Sequence, residues 1–303
     1  MDQPNSPPNP ARGQAEIEEL RRRIQTSRSH RSALDDPLGR AELRSVRLQL
    51  EYLEPELAFT DLGVEHTIVV FGGTRLLDPE IARQRLASLE TAGSGDAHEA
   101  ALARARAALG RSRYYEIGRE LGRIVGSCGG GHDDHRLVVV TGGGPGAMEA
   151  ANRGAHDVGA ASAGLNISLP HEQRPNPYLS AQLSFQFRYF ALRKLHFMLR
   201  ARALVALPGG FGTFDELFET LCLIQTHKRS ALPVILIGES FWRRAVDFDF
   251  LLEQEMIDPD DLALFEFAET AQEAWQRILR WYEDRGQSLF DDDAPAAEPE
   301  LPE

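Results

Sequence analysis

Lysine is nearly missing from this chain of 303 residues: Lys194 and Lys228 are the only two. Chemistry that runs through a Schiff-base lysine therefore has just those two candidates. Cysteine is equally scarce, with Cys128 and Cys222 alone. Two are too few for a disulfide framework, which points to a reducing, cytoplasmic setting. No apolar run reaches membrane-spanning length, and the polar N-terminus carries no signal-peptide pattern. Positive charge is also short. The net charge of −13 speaks against nucleic acid as a partner and obliges an anionic ligand to find local positive groups. What is present in quantity is hydrophobic sequence, 42% of the chain, enough for one large α/β domain with extensions.

Residues 1–12, rich in Pro and Asn, read as a disordered tail. Residues 13–60 read as a helical extension. Its charged stretch over 14–52 has sparse apolar points such as Leu20, Ile24 and Leu43, and Pro37 divides it into two helices. Such an arm buries little alone and is expected to pack on the core or on another subunit. Residues 61–286 read as a Rossmann-like domain, a doubly wound parallel sheet, because short apolar runs alternate with helical ones. Strands are expected at 67–71, 137–140, 163–170, 203–207 and 233–237. Helices are expected over 78–110 with a break near Gly93, then 114–125, 148–158, 185–203, 217–224, 241–256 and 271–285. Residues 287–303 read as an acidic, solvated tail.

Two glycine-rich turns follow apolar runs. Pro208-Gly209-Gly210-Phe211-Gly212-Thr213-Phe214-Asp215-Glu216 lies between the run at 203–207 and an amphipathic helix. Glycine lets backbone N–H groups approach a ligand, and a helix start adds partial positive charge, so such a turn suits an anion, most often phosphate. Gly209, Gly210, Phe211, Gly212 and Thr213 are the candidate phosphate contacts. The other turn, Thr141-Gly142-Gly143-Gly144-Pro145-Gly146-Ala147, fits a G-x-G-x-x-G/A pattern between strand and helix. Gly143, Gly144, Gly146 and the following Met148 are its candidate pocket residues. A dinucleotide site would add an acidic residue about 20 positions on, at the end of the next strand. That strand closes on Ser168-Leu169-Pro170, so a mononucleotide lying across both turns is the reading.

Each charged candidate has a structural and a functional reading. Thr213-x-x-Glu216 has the spacing of a capping box; equally, Glu216 is a carboxylate beside a bound phosphate ester, kept ionised by the helix start. Arg193 is either snorkelling from an apolar face or a guanidinium held by Tyr189, Phe190, His196 and Phe197 and aimed at phosphate or ribose. Lys194 points to solvent or to ligand. Thr74 and Arg75 follow the first strand, as plain turn residues or as ligand contacts. Gln173 and Asn176 edge a base pocket or make turn bonds. His132, Asp133, Asp134 and His135 are metal-ligand types, but they sit in a glycine loop with no orienting structure, so no metal site is expected.

The pair Gly142-Gly143-Gly144-Pro145-Gly146-Ala147-Met148-Glu149 and Pro208 to Glu216 resembles the LOG ("lonely guy") family. Those proteins are cytokinin-riboside 5′-monophosphate phosphoribohydrolases, and many bacterial members cleave AMP or other nucleoside monophosphates. The family is often labelled "possible lysine decarboxylase". The resemblance covers residues 67–242. Pro175-Asn176-Pro177-Tyr178 and Leu223-Ile224-Gln225-Thr226 are similar to its longer bacterial branch. It implies a catalytic Arg193 from the Arg193-Lys194 pair, with Lys194 in the substrate site, and a catalytic Glu216. It further implies hydrolysis of a nucleoside monophosphate without a cofactor, in a homodimer or larger oligomer whose active site lies near the subunit interface.

Overall fold

The computed structural model describes residues 41–128, 134–169 and 174–291. The expected apolar runs form strands β1 (His66–Phe71), β2 (Leu137–Thr141), β3 (Ser162–Ile167), β5 (Ala201–Ala206) and β6 (Val234–Ile237), joined by β4 (Ser184–Phe187) and β7 (Glu266–Ala268). All pair in parallel in the order β4-β3-β2-β1-β5-β6-β7. The connections carry α1 (Arg44–Asp61), α2 (Pro79–Glu90), α3 (Asp96–Arg111), α4 (Arg113–Ser127), α5 (Ala147–Asp157) and α6 (Phe190–Leu199). They continue with α7 (Phe211–Gln225), α8 (Glu239–Ala245), α9 (Phe248–Glu253) and α10 (Ala271–Glu283). No described helix is long and apolar enough to cross a membrane.

Successive strand side chains point to opposite faces, and β1 shows what that builds. Ile68 and Val70 join Tyr115, Leu121, Ala150 and Ile278 in the core on one face, under α4, α5 and α10. Val69 and Phe71 join Phe197, Leu217 and Trp242 on the other, under α6, α7 and α8. Both faces are thus covered, which is why the strands read as nearly unbroken apolar runs. This is the doubly wound, Rossmann-like sheet expected from the sequence.

Several boundaries differ from expectation. The stretch from Phe185 is not helical at first: Phe185 and Phe187 are buried in β4, with Gln186 less so, and Phe185 pairs with Leu165 of β3. Alternation, not aromatic density, was the signal there. β7 adds an edge strand too short to stand out in the sequence. The helix expected over 241–256 is two helices, because the Asp247 side chain accepts from Phe250 N and starts a new one. α1 runs past Tyr52 to Asp61 with Pro55 inside it. The tail over 1–12, the part of the extension over 13–40 and the Pro37 break lie outside the described residues. At the other end, Leu289 is buried and the Phe290 ring lies 6.3 Å from that of His66, so packing continues past residue 286.

Candidate active site

From β1 the sheet is built outward in two directions, toward β2, β3 and β4 on one side and toward β5, β6 and β7 on the other. The connections diverge between β1 and β5, and the carboxyl ends of such neighbouring strands leave a crevice where ligands bind in open α/β sheets. A cleft of about 840 Å³ lies there. Gly72, Gly73, Thr74 and Arg75 line it from the turn after β1, residues 208–213 from the turn after β5, and Gly142 and Met148 from the turn after β2. Arg193 of α6 and Glu216 of α7 reach it as well.

α7 begins at Phe211 with Gly210 as its N-cap, and no side chain caps it. The first amides of a helix have no acceptor within it. A Cβ at Gly210 or Gly212 would meet nothing within 4 Å, so packing does not call for glycine at either position. Their bareness leaves the amides open to the cleft. Gly209 differs, because a Cβ there would run into the buried Thr213 hydroxyl. Thr213 is the third residue of the helix rather than its cap, so the capping box, one of the two readings of Thr213-x-x-Glu216, does not form. The helix starts earlier than that spacing suggested. The Phe211 ring, at the helix start, is 97% exposed.

Glu216 is buried, at 7% exposure. Burial pushes its pKa up to about 7, although the Lys194 and Arg193 cations pull it down. The helix start was expected to keep this carboxylate ionised; desolvation outweighs it. Arg193 Nε donates to the carbonyl of Leu165 on β3 at 2.7 Å, and its guanidinium lies over the Phe197 ring at 5.2 Å. Burial draws the arginine pKa down, against the pull of Glu216. Lys194 does not point to solvent. Its Nζ lies 2.6 Å from Glu219 Oε2, 2.9 Å from Asp215 Oδ2 and 3.4 Å from Glu216 Oε2. Burial works against its charge, but these carboxylates prevail and its pKa rises.

The other glycine turn is mostly closed. Gly143, Gly144 and Gly146 are buried and stand behind the cleft, and only Gly142 and Met148 of this turn line it. Gly146 has φ +76°, and a Cβ there would meet the Gly73 carbonyl. That same carbonyl accepts from Ala147 N at 3.1 Å, so the start of α5 already has a backbone acceptor. Asn176 resolves toward turn bonding: its Nδ2 donates to Gly143 O at 3.2 Å, Gly144 O at 3.1 Å and Asn152 Oδ1 at 2.9 Å. Gln173, His132 and Asp133 lie outside the described residues. Asp134 instead accepts from Arg136 N at 3.1 Å, and no group of three metal-ligand side chains gathers among the described residues. Sequence reasoning missed Arg111, Leu169 and Phe241 in the cleft lining. Arg111 closes α3, and only the folded path of α2 and α3 brings it there.

The family model described as possible lysine decarboxylase matches residues 148–278. That segment begins inside α5, just past the Thr141 to Ala147 turn, covers the whole of α6 and α7 and ends inside α10. Over that segment, less than half of the chain, the protein is similar to the family so labelled, a label also given to the LOG proteins. The LOG family is of the nucleotide-related phosphoribohydrolase type. No curated protein matches the chain. Solved structures do align with it, among them these two. One, the structural-genomics target TM1055, is 22% identical over 71% of this chain and 99% of its own, with a TM-score of 0.42. The other, a molybdenum cofactor binding protein from the phototrophic bacterium Rippkaea orientalis, is 18% identical over 71% of this chain and 95% of its own, also with a TM-score of 0.42.

Proposed function

We propose that the cleft hydrolyses the N-glycosidic bond of a nucleoside 5′-monophosphate, AMP or a cytokinin riboside monophosphate, to free base and ribose 5-phosphate. The observation that carries this reading is one cleft holding both an uncapped helix N-terminus and a buried carboxylate, Glu216, next to Arg193. The amides at Gly210, Phe211 and Gly212, with Thr213, hold the 5′-phosphate. As the C1′–N bond breaks, positive charge builds on the ribose, and the Glu216 carboxylate stabilises it and takes a proton from the attacking water. The water oxygen bonds to C1′, the C1′–N electron pair leaves with the base, and the base takes up a proton equivalent to the one Glu216 accepted. Arg193 orients phosphate and ribose. Lys194 acts on the carboxylates rather than on the substrate.

The reaction in the family label finds no support in Lys194. A Schiff base needs a neutral amine, and three carboxylates hold this ammonium charged. An oligomer fits the surface: Phe211, and Val46, Leu50, Leu53 and Leu57 on α1, are exposed apolar side chains that a second copy would cover. Incubation with a panel of nucleoside 5′-monophosphates, followed by chromatography of the bases, tests the function. Adenine and ribose 5-phosphate are expected from AMP without added metal or nicotinamide. A protein that binds AMP and returns it intact would overturn the hydrolase reading in favour of a nucleotide-binding one.

A further inference from the structure

We propose that α1 is a strap that sets the position of α6, and that Glu51 is a positioning residue for the Arg193 guanidinium. α1 stands outside the family match, which begins at residue 148. Its consequence for activity rests on the role of Arg193 proposed above; its consequence for α6 does not.

α6 is a ten-residue helix, a length that is marginal without outside support. Its N-cap, Tyr189, makes no side-chain capping bond, so the amides at its start need an acceptor from elsewhere. Glu51 supplies it. One carboxylate oxygen accepts from Arg188 N at 2.8 Å and the other from Tyr189 N at 3.1 Å. A carboxylate at a helix start is also favoured by the helix dipole. Burial raises the Glu51 pKa, with the two amides and nearby arginines only partly offsetting it, so the carboxylate sits there at a cost in solvation. At the other end Glu56 accepts from Arg200, the C-cap residue, at 2.5 Å, and lies 3.2 Å from His196 Nδ1. Arg47 Nε adds a bond at the first point, donating to the Tyr189 hydroxyl at 3.3 Å, and between the two points the Tyr52 and His196 rings lie 5.3 Å apart. Both ends of α6 are therefore held by α1.

The link to Arg193 is one hydrogen bond long. Arg193 N donates to the carbonyl of Tyr189 at 3.2 Å, the residue whose own amide Glu51 holds. The Arg193 side chain is then tied on its far side to Leu165 O of β3. Freeing the start of α6 would let the backbone under Arg193 drift while its guanidinium stays tethered. A misplacement of about 1 Å can cost about a hundredfold in rate.

A double-mutant cycle with Glu51→Ala and Arg193→Ala, read by ribose 5-phosphate affinity, AMP turnover and amide hydrogen exchange, tests the strap. In the Glu51→Ala protein, ribose 5-phosphate should bind about tenfold more weakly and the amides of residues 189–194 should exchange about tenfold faster. Glu51→Gln, which keeps one acceptor oxygen, should lie between. Once Arg193 is Ala, removing Glu51 should cost no further affinity. Equal losses with and without Arg193 would make Glu51 merely structural and overturn the proposal. If the wild-type protein neither binds ribose 5-phosphate nor cleaves AMP, the catalytic reading falls; the strap then stands or falls on the exchange rates, and unchanged exchange in Glu51→Ala and Glu51→Gln overturns it.

Discussion

The ammonium of Lys194 lies 3.4 Å from the Glu216 carboxylate, so the ionisation of one is set in part by the other. Activity on AMP should rise with pH along a limb near pH 7, because the carboxylate is the working form and burial holds its pKa at about 7. Lys194→Met removes a cation that lowers this pKa. The limb should then move to higher pH in a profile of kcat/KM. A limb that stays in place would show that Lys194 serves Asp215 and Glu219 alone.

Glu216→Gln separates activity from stability. Turnover should fall by about a hundredfold or more, since the charge that meets the developing cation is gone. Stability should move the other way. The folded pKa of about 7 lies above the ordinary 4.5, so the contribution of Glu216 to stability is full below the ordinary value and is lost as pH rises through about 7. Gln cannot ionise. The stability advantage of the variant over the wild type should therefore grow between about pH 5 and about pH 8, toward a limit of about 3 kcal/mol. Thermal melts across that range check it, and a constant difference would contradict it.

Gly212 and Gly146 should respond oppositely to alanine. At Gly212, inside α7 with open space around it, Ala is a better helix former and should stabilise by up to about 1 kcal/mol, while AMP binds more weakly because a methyl group crowds the open amides. At Gly146, with φ +76° and the Gly73 carbonyl in the way, Ala should destabilise by about 1–3 kcal/mol. Denaturant titrations and calorimetric AMP titrations on both proteins would resolve the two.

AMP should be a far better substrate than adenosine. Hydrogen bonds to a charged group contribute about 1.5–3 kcal/mol each, so losing two or three phosphate contacts at Gly210, Gly212 and Thr213 should lower kcat/KM by at least about a hundredfold. Inorganic phosphate and ribose 5-phosphate should compete with AMP. Comparable rates on adenosine and AMP would remove the turn after β5 from the site.

The sheet and its two glycine turns were legible because β-branched runs and glycine spacing are local. β4 was hidden because Phe185 and Phe187 run straight on into the aromatic start of α6, and local composition favoured one element over two. The turn pattern itself did not reveal which turn is open. Gly210 and Gly146 look alike in sequence, yet one faces empty space and the other a carbonyl, a difference that arises only when β1 and α5 come together. Lys194 likewise reads as a lone charge beside Arg193 until α7 brings three carboxylates to it.

Gly73 bonds in two directions: its N–H donates to Pro208 O at 3.0 Å, and its carbonyl accepts from Ala147 N at 3.1 Å. The loops after three different strands are thereby clasped into one plate, with the middle loop as rivet. None of them can swing out singly without leaving a backbone group unpaired. If substrate entry and product release require movement, it falls to other parts of the lining, such as the segments that carry Arg111 and Phe190. Labels placed on those segments, and not on the glycine loops, should report it.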